Sequence, residues 1–175
     1  MRKILILLSL TFTFFSASAQ TPLDPFVGTW SYQKNDTIFK IKLQKGLTIY
    51  TYNNTERPSI FGVYSLSVGG IMKENYLTKQ PPARWVPNVP ASSVNIFIKG
   101  TSAGSKTLGF TFYDQRIKHV GGEGIPCGKM HLIAPNKLHW ILNEKEGLWW
   151  RVEGTDIPYE LKEFLVPENV IMTKE

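Results

Sequence analysis

The sequence predicts an all-β protein: an antiparallel up-and-down barrel of about 8–10 strands with one short C-terminal helix, a β-sandwich being the alternative. Three observations predict it. Polar and apolar residues alternate with period two through most of the chain, as in "TIFKIKLQK" (Thr37–Lys45) and "TLGFTFYD" (Thr107–Asp114). Short turn signals, among them Asn35-Asp36, Gly69-Gly70 and Pro135-Asn136, separate successive runs. Helical spacing is confined to one segment near the C-terminus. Sequential hairpins favour a meander, and closing it removes exposed strand edges.

The elements follow in order. The first 19 residues read as an export signal: Arg2 and Lys3, an apolar run Ile4–Phe15, then Ala17-Ser18-Ala19 before Gln20. That run is shorter than the roughly 20 residues a membrane span needs, and no later stretch approaches it. The expected localisation is secreted or periplasmic, with residues 20–175 forming one β domain. Strands are expected at Gly28–Lys34 and Thr37–Lys45, then, after a turn at Lys45-Gly46, at Leu47–Asn54. Ile60–Val68 and Ile71–Leu77 continue the pattern. Lys79–Pro90 is proline-rich and reads as loop, because proline cannot donate to a ladder.

Alternation resumes at Val94–Lys99, Thr107–Asp114, Lys129–Ala134, Lys137–Asn143 and Leu148–Gly154. Pro158–Val166 is the helical segment, with proline in its first turn and Leu161, Phe164 and Leu165 at helical spacing. The closing "PENVIMTK" looks extended. The inward candidates Phe39, Ile41, Leu43, Val94, Ile96, Ile98, Leu108, Phe110 and Phe112 are large enough to fill a small barrel.

Composition removes several function classes. The net charge of +6 drops to +4 once Arg2 and Lys3 leave with the signal. The densest cations, Lys40, Lys42 and Lys45, alternate with Phe39, Ile41 and Leu43 and so form the wet face of a strand. No nucleic-acid groove is expected. The single cysteine, Cys127, rules out an internal disulfide and lacks a neighbouring base for nucleophilic work.

No catalytic constellation, cofactor motif or metal site emerges, and the protein is expected not to be an enzyme. "GTSAGSKT" (Gly100–Thr107) lacks the spacing of a phosphate loop, and no nucleophile elbow is present. The histidines need a closer look. If Pro135-Asn136 make a two-residue hairpin turn, Ala134 pairs with Lys137, so His131 falls opposite Trp140 and His139 opposite Leu132. The two imidazoles are then expected on opposite faces of the sheet, unable to share a metal. His119 would have to join them from a loop.

The opening "FVGTW" (Phe26–Trp30) carries a resemblance. With Gly28-Thr29-Trp30 at the first strand and Arg151 in "LWWRVEG", the chain resembles the lipocalin-like (calycin) superfamily, in which a G-x-W turn opens the barrel. The resemblance implies that Trp30 plugs one barrel end and that Arg151 packs across its ring. A wider likeness, in the leader ending near "AQ", "FVGTW", "NDTIFKIKLQK", "LHWIL" and "VPENVIMTK", is to small secreted bacterial proteins of unknown function.

Two function classes follow as expectations. The first is an exported lipocalin-like module taking a small apolar or amphipathic ligand. The second is a packed, non-enzymatic β domain acting through surface contacts with an envelope protein or a glycan. Arg84-Trp85, stiffened by Pro81-Pro82 and Pro87, is the candidate ligand or partner contact; alternatively Trp85 folds back over a barrel mouth.

Overall fold

The computed structural model describes residues 22–102, 104–115, 124–143 and 164–175. A 3-10 turn at Asp24–Phe26 leads into β1 (Gly28–Lys34), β2 (Thr37–Tyr50), β3 (Thr55–Val68), β4 (Ile71–Asn75) and β5 (Arg84–Trp85). A second 3-10 turn, Ala91–Val94, precedes β6 (Ile98–Ser102), β7 (Thr107–Phe112), β8 (Ile125–Ala134), β9 (Lys137–Ile141) and β10 (Asn169–Lys174). Eight strands, in the order β1-β2-β3-β6-β7-β8-β9-β10, form a closed antiparallel barrel, because β10 pairs with β1 and β2 with β3. β4 lies along β3 beyond its pairing with β6, and β5 runs parallel beside β2. No helix among the described residues is long and apolar enough to cross a membrane.

Alternation explains most strands. β7 and β9 bury every second residue, Leu108, Phe110 and Phe112 on one and Leu138 and Trp140 on the other. Turn chemistry supplies the corners: Asn35 and Asn54 take positive φ, and Gly69-Gly70 has φ of 62° and 72° between β3 and β4. β3 departs from alternation, being buried without interruption from Ser59 to Leu66. It faces the barrel interior on one side and is covered on the other.

Several elements differ from expectation. Lys45-Gly46 is not a turn. β2 runs straight through it, because Gly46 passes against the Phe61 ring, where a Cβ would sit 2.3 Å from a ring carbon. The two expected strands are one, and the turn falls at Thr51–Asn54. Val94–Lys99 is not a single strand either. Ala91–Val94 forms the 3-10 turn, Asn95 ends it at φ 61°, and β6 starts at Ile98. Val94 and Ile96 therefore pack outside the barrel rather than in it.

The C-terminal tail is a barrel strand, pairing with both β9 and β1. The expected strand Leu148–Gly154 and most of the expected helix lie outside the described residues; Phe164, Leu165 and Val166 are not helical.

Candidate functional site

The sequence's opening motif packs into the barrel core at the start of β1. Phe26, at the end of the first 3-10 turn, is fully buried, and the Trp30 indole N–H donates to its carbonyl at 2.8 Å. Gly28 adopts φ +127°, and a Cβ there would stand 2.9 Å from Lys174 Cε. Lacking that atom, Gly28 lets the Lys174 side chain lie across it. Lys174, directly opposite Trp30 on β10, holds its ammonium 5.2 Å from the ring centroid and donates to the Pro25 carbonyl at 3.3 Å. Such a contact contributes about 0.5–1 kcal/mol at a partly exposed position. The cation described over Trp30 is thus Lys174; Arg151 lies outside the described residues.

The described interior of the barrel is aromatic. Phe110 stacks on Trp140 at 4.3 Å, Phe39 and Phe112 meet Trp140 edge-on, and Tyr64 continues from Phe112 at 4.9 Å. Glycines at facing positions make room for these side chains. A Cβ on Gly128 would sit 2.5 Å from the Phe110 ring, one on Gly62 2.6 Å from Leu43 and one on Gly100 2.9 Å from Leu108. Large and small residues alternate across the strands, as close packing of a narrow barrel demands.

Beside these rings, buried polar groups gather around Tyr64. Its hydroxyl donates to Glu74 Oε2 and accepts the Gln115 backbone N–H at 3.2 Å, while the Tyr76 hydroxyl approaches Glu74 Oε1 at 3.5 Å. Glu74 and Asp114 are both buried. Burial, then the hydrogen bond to Glu74, then the charge of Asp114 push the Tyr64 phenol far above its ordinary range. Held neutral, it is a permanent donor that fastens β4 to β3.

The Arg84-Trp85 motif lies elsewhere than at a barrel mouth. Trp85 is 6 % exposed and packs edge-on against Phe61 on the outer face of β3, with Ala91 and Ile96 completing a second small core. Its indole donates to the Val89 carbonyl at 2.8 Å, and the Lys99 ammonium lies 4.6 Å from its ring centroid, where burial lowers the lysine's pKa. Arg84 is exposed and pairs with Glu56. This covering ties β5 to β2 through Leu47 and Thr48, and a buried Thr48–Ser59 hydroxyl contact of 2.8 Å joins β2 to β3.

The result is a stiff arm. β2 and β3 stay paired from Ile38↔Ser67 to Tyr50↔Thr55, beyond the reach of β1, whose pairing with β2 ends at Gly28↔Leu43. At the tip Tyr52 is 80 % exposed and meets Tyr50 edge-on at 5.9 Å, with the Arg57 guanidinium 5.3 Å from the Tyr50 ring centroid. Every residue from Thr51 to Pro58 is exposed. Sequence reasoning missed this tip because a turn at Lys45-Gly46 would have folded it into a separate strand; the exposed "YTYNNTER" run was the available signal.

The histidines are brought together, contrary to expectation. A β-bulge between Leu132 and Ala134 shifts the register, so His131 stands opposite His139 and Met130 opposite Trp140. Both imidazoles lie on the outer face, ring centroids 6.3 Å apart. Among the described residues no group of three or more His, Cys, Asp or Glu is placed to hold a metal. Cys127 is exposed at φ 62°. A recess of about 450 Å³ is lined by Pro25, Lys106, Leu132 and Ala134 among others, away from Trp85.

No curated protein and no solved structure matches the chain. The closed eight-strand barrel is compatible with the lipocalin-like resemblance, although the family that the chain matches carries no lipocalin assignment. That match runs over residues 1–175, and the protein belongs to a family of unknown function, DUF6705.

Proposed function

We propose that this protein is an exported, non-enzymatic binding domain that works through its surface, with the tip of the β2–β3 arm as the contact and a glycan as the partner. The observation that carries this reading is the division of aromatic residues. Those inside the barrel pack on one another, whereas Tyr52 is held out to solvent on a braced two-strand arm. A tyrosine has few rotamers to lose and presents a flat face and a polar end, which suits sugar rings and their hydroxyls.

Around Tyr52 stand Thr51, Asn53, Asn54, Thr55 and Arg57, all exposed hydrogen-bonding groups with no aliphatic side chain among them. A protein partner would ask for an apolar centre that the tip does not offer. The competing reading, a small apolar ligand inside the barrel, would need space at Gly62, Gly100 and Gly128, where Leu43, Leu108 and Phe110 already press.

The test is co-sedimentation with insoluble cell-wall polysaccharide, alongside native mass spectrometry of the purified protein. Wild type should pellet, and Tyr52→Ala with Arg57→Ala should stay in solution while keeping the wild-type melting temperature. Equal pelleting of the variant would overturn the assignment of the tip. Capture of an envelope protein by the wild-type tip in place of polysaccharide would replace the glycan. A small molecule released only on denaturation would move the function into the barrel.

A further inference from the structure

We propose that His131 and His139 together form a surface site for one divalent first-row metal ion of borderline softness. Three features of the outer face support it. The bulge at the end of β8 sets the two residues directly opposite each other on adjacent antiparallel strands, so their rings leave the sheet side by side. The centroid separation of 6.3 Å is close to the about 5 Å that two imidazoles reach when they share an ion through bonds of about 2 Å, a gap that side-chain rotation covers. Each ring, moreover, has a partner suited to hold its second nitrogen.

Those partners determine which atoms ligate. His139 Nε2 lies 2.7 Å from Asn169 Oδ1, which can only accept, so the proton sits on Nε2 and Nδ1 carries the lone pair. His131 Nδ1 lies 3.1 Å from the Thr107 hydroxyl, which can accept Nδ1–H in the tautomer that leaves Nε2 as the donor atom to the ion. Outer partners of this kind orient ligating imidazoles and raise their basicity. Water completes the coordination, so binding is weaker than at a closed four-ligand site. Affinity should follow the usual order, copper(II) above nickel(II) and zinc(II).

Among the described residues on the outer rows of β8 and β9 the charge beside the two histidines is positive, and Glu168 precedes Asn169 at the start of β10. Lys129 precedes His131 on the outer row of β8, Lys137 precedes His139 on β9, and Lys106 adjoins Thr107, whereas β10 offers Asn169, Ile171 and Thr173. The Lys137 ammonium is directed to Thr173 Oγ1 at 2.7 Å. These lysines lower the affinity by repelling a cation. Ligation requires neutral imidazoles, so acid should release the ion.

The experiment titrates nickel(II), which is paramagnetic and inert toward the Cys127 thiol's redox chemistry, into the tag-free protein at pH 7.5. One equivalent should broaden the imidazole resonances of His131 and His139 together and raise the melting temperature by several degrees. At pH 5 both effects should vanish. His131→Ala and His139→Ala should each weaken binding by about tenfold or more, and His119→Ala should leave it intact. Broadening of only one of the two rings, first occupancy at His119 or Cys127, or undiminished affinity in either alanine variant would overturn the site. The wild-type broadening needs no variant to fold, and it is independent of whether the arm binds a glycan.

Discussion

The Trp30 site and the β2–β3 arm use the same residue types to opposite ends. At the start of β1 Trp30 is fully buried, its indole donating to the Phe26 carbonyl and its ring covered by Lys174. At the arm tip Tyr52 is mostly in water, and what holds it is the backbone ladder behind it together with Phe61 and Trp85. Aromatic area stabilises the fold only where water is removed from it. In the arm the burial has been moved back along the strands, so the exposed ring is positioned without being enclosed.

The largest expected effect separates the two regions outright. Trp30→Ala should destabilise the protein by about 3–5 kcal/mol, because a large cavity opens and the Phe26 carbonyl loses its donor. Tyr52→Ala should change stability by less than about 0.5 kcal/mol. Urea denaturation of the two variants measures the contrast, and comparable losses would mean that the tip is part of the core.

An intermediate effect is expected where the arm is braced. Gly46→Ala places a methyl group against the Phe61 ring and close to the Ala83 carbonyl, and should cost about 1–3 kcal/mol. Hydrogen exchange should show the loss concentrated at Leu47–Tyr50 and Arg84-Trp85, with the β7–β9 amides still protected. Uniform loss of protection would show that arm and barrel unfold as one. The smallest effect concerns the lid on Trp30. Lys174→Met keeps the stem packed across Gly28 and removes only the charge, for a loss of about 0.5–1 kcal/mol by thermal denaturation. A larger loss in Arg151→Ala would transfer that role to Arg151.

The legible part of the fold was the part written in local pattern. β1 spans the expected Gly28–Lys34, and Asn35-Asp36, Gly69-Gly70 and Pro135-Asn136 do turn the chain. Phe39, Ile41, Leu43, Ile98, Leu108, Phe110 and Phe112 are buried as alternation required. What escaped detection depended on contacts distant in sequence. Gly46 reads as a turn until Phe61 is known to lie beside it. Val94–Lys99 alternates like a strand, yet Ile96 belongs to the core built on Trp85. The histidine pairing failed by a single residue, because a bulge leaves no mark in a hairpin's sequence and one residue of slip reverses a face.

By itself, then, the amino-acid order determined the strand-rich class, several corners and the inward rows of β2 and β7, since period-two alternation and positive-φ turn residues act over a few positions. The tertiary structure alone decided that the tail completes the barrel, that Lys174 is the cation described over the tryptophan, and that one hairpin outgrows the rest. It also decided that two histidines share a face. Each of these rests on which strands become neighbours and in what register, and that choice is made by packing across the barrel rather than along the chain.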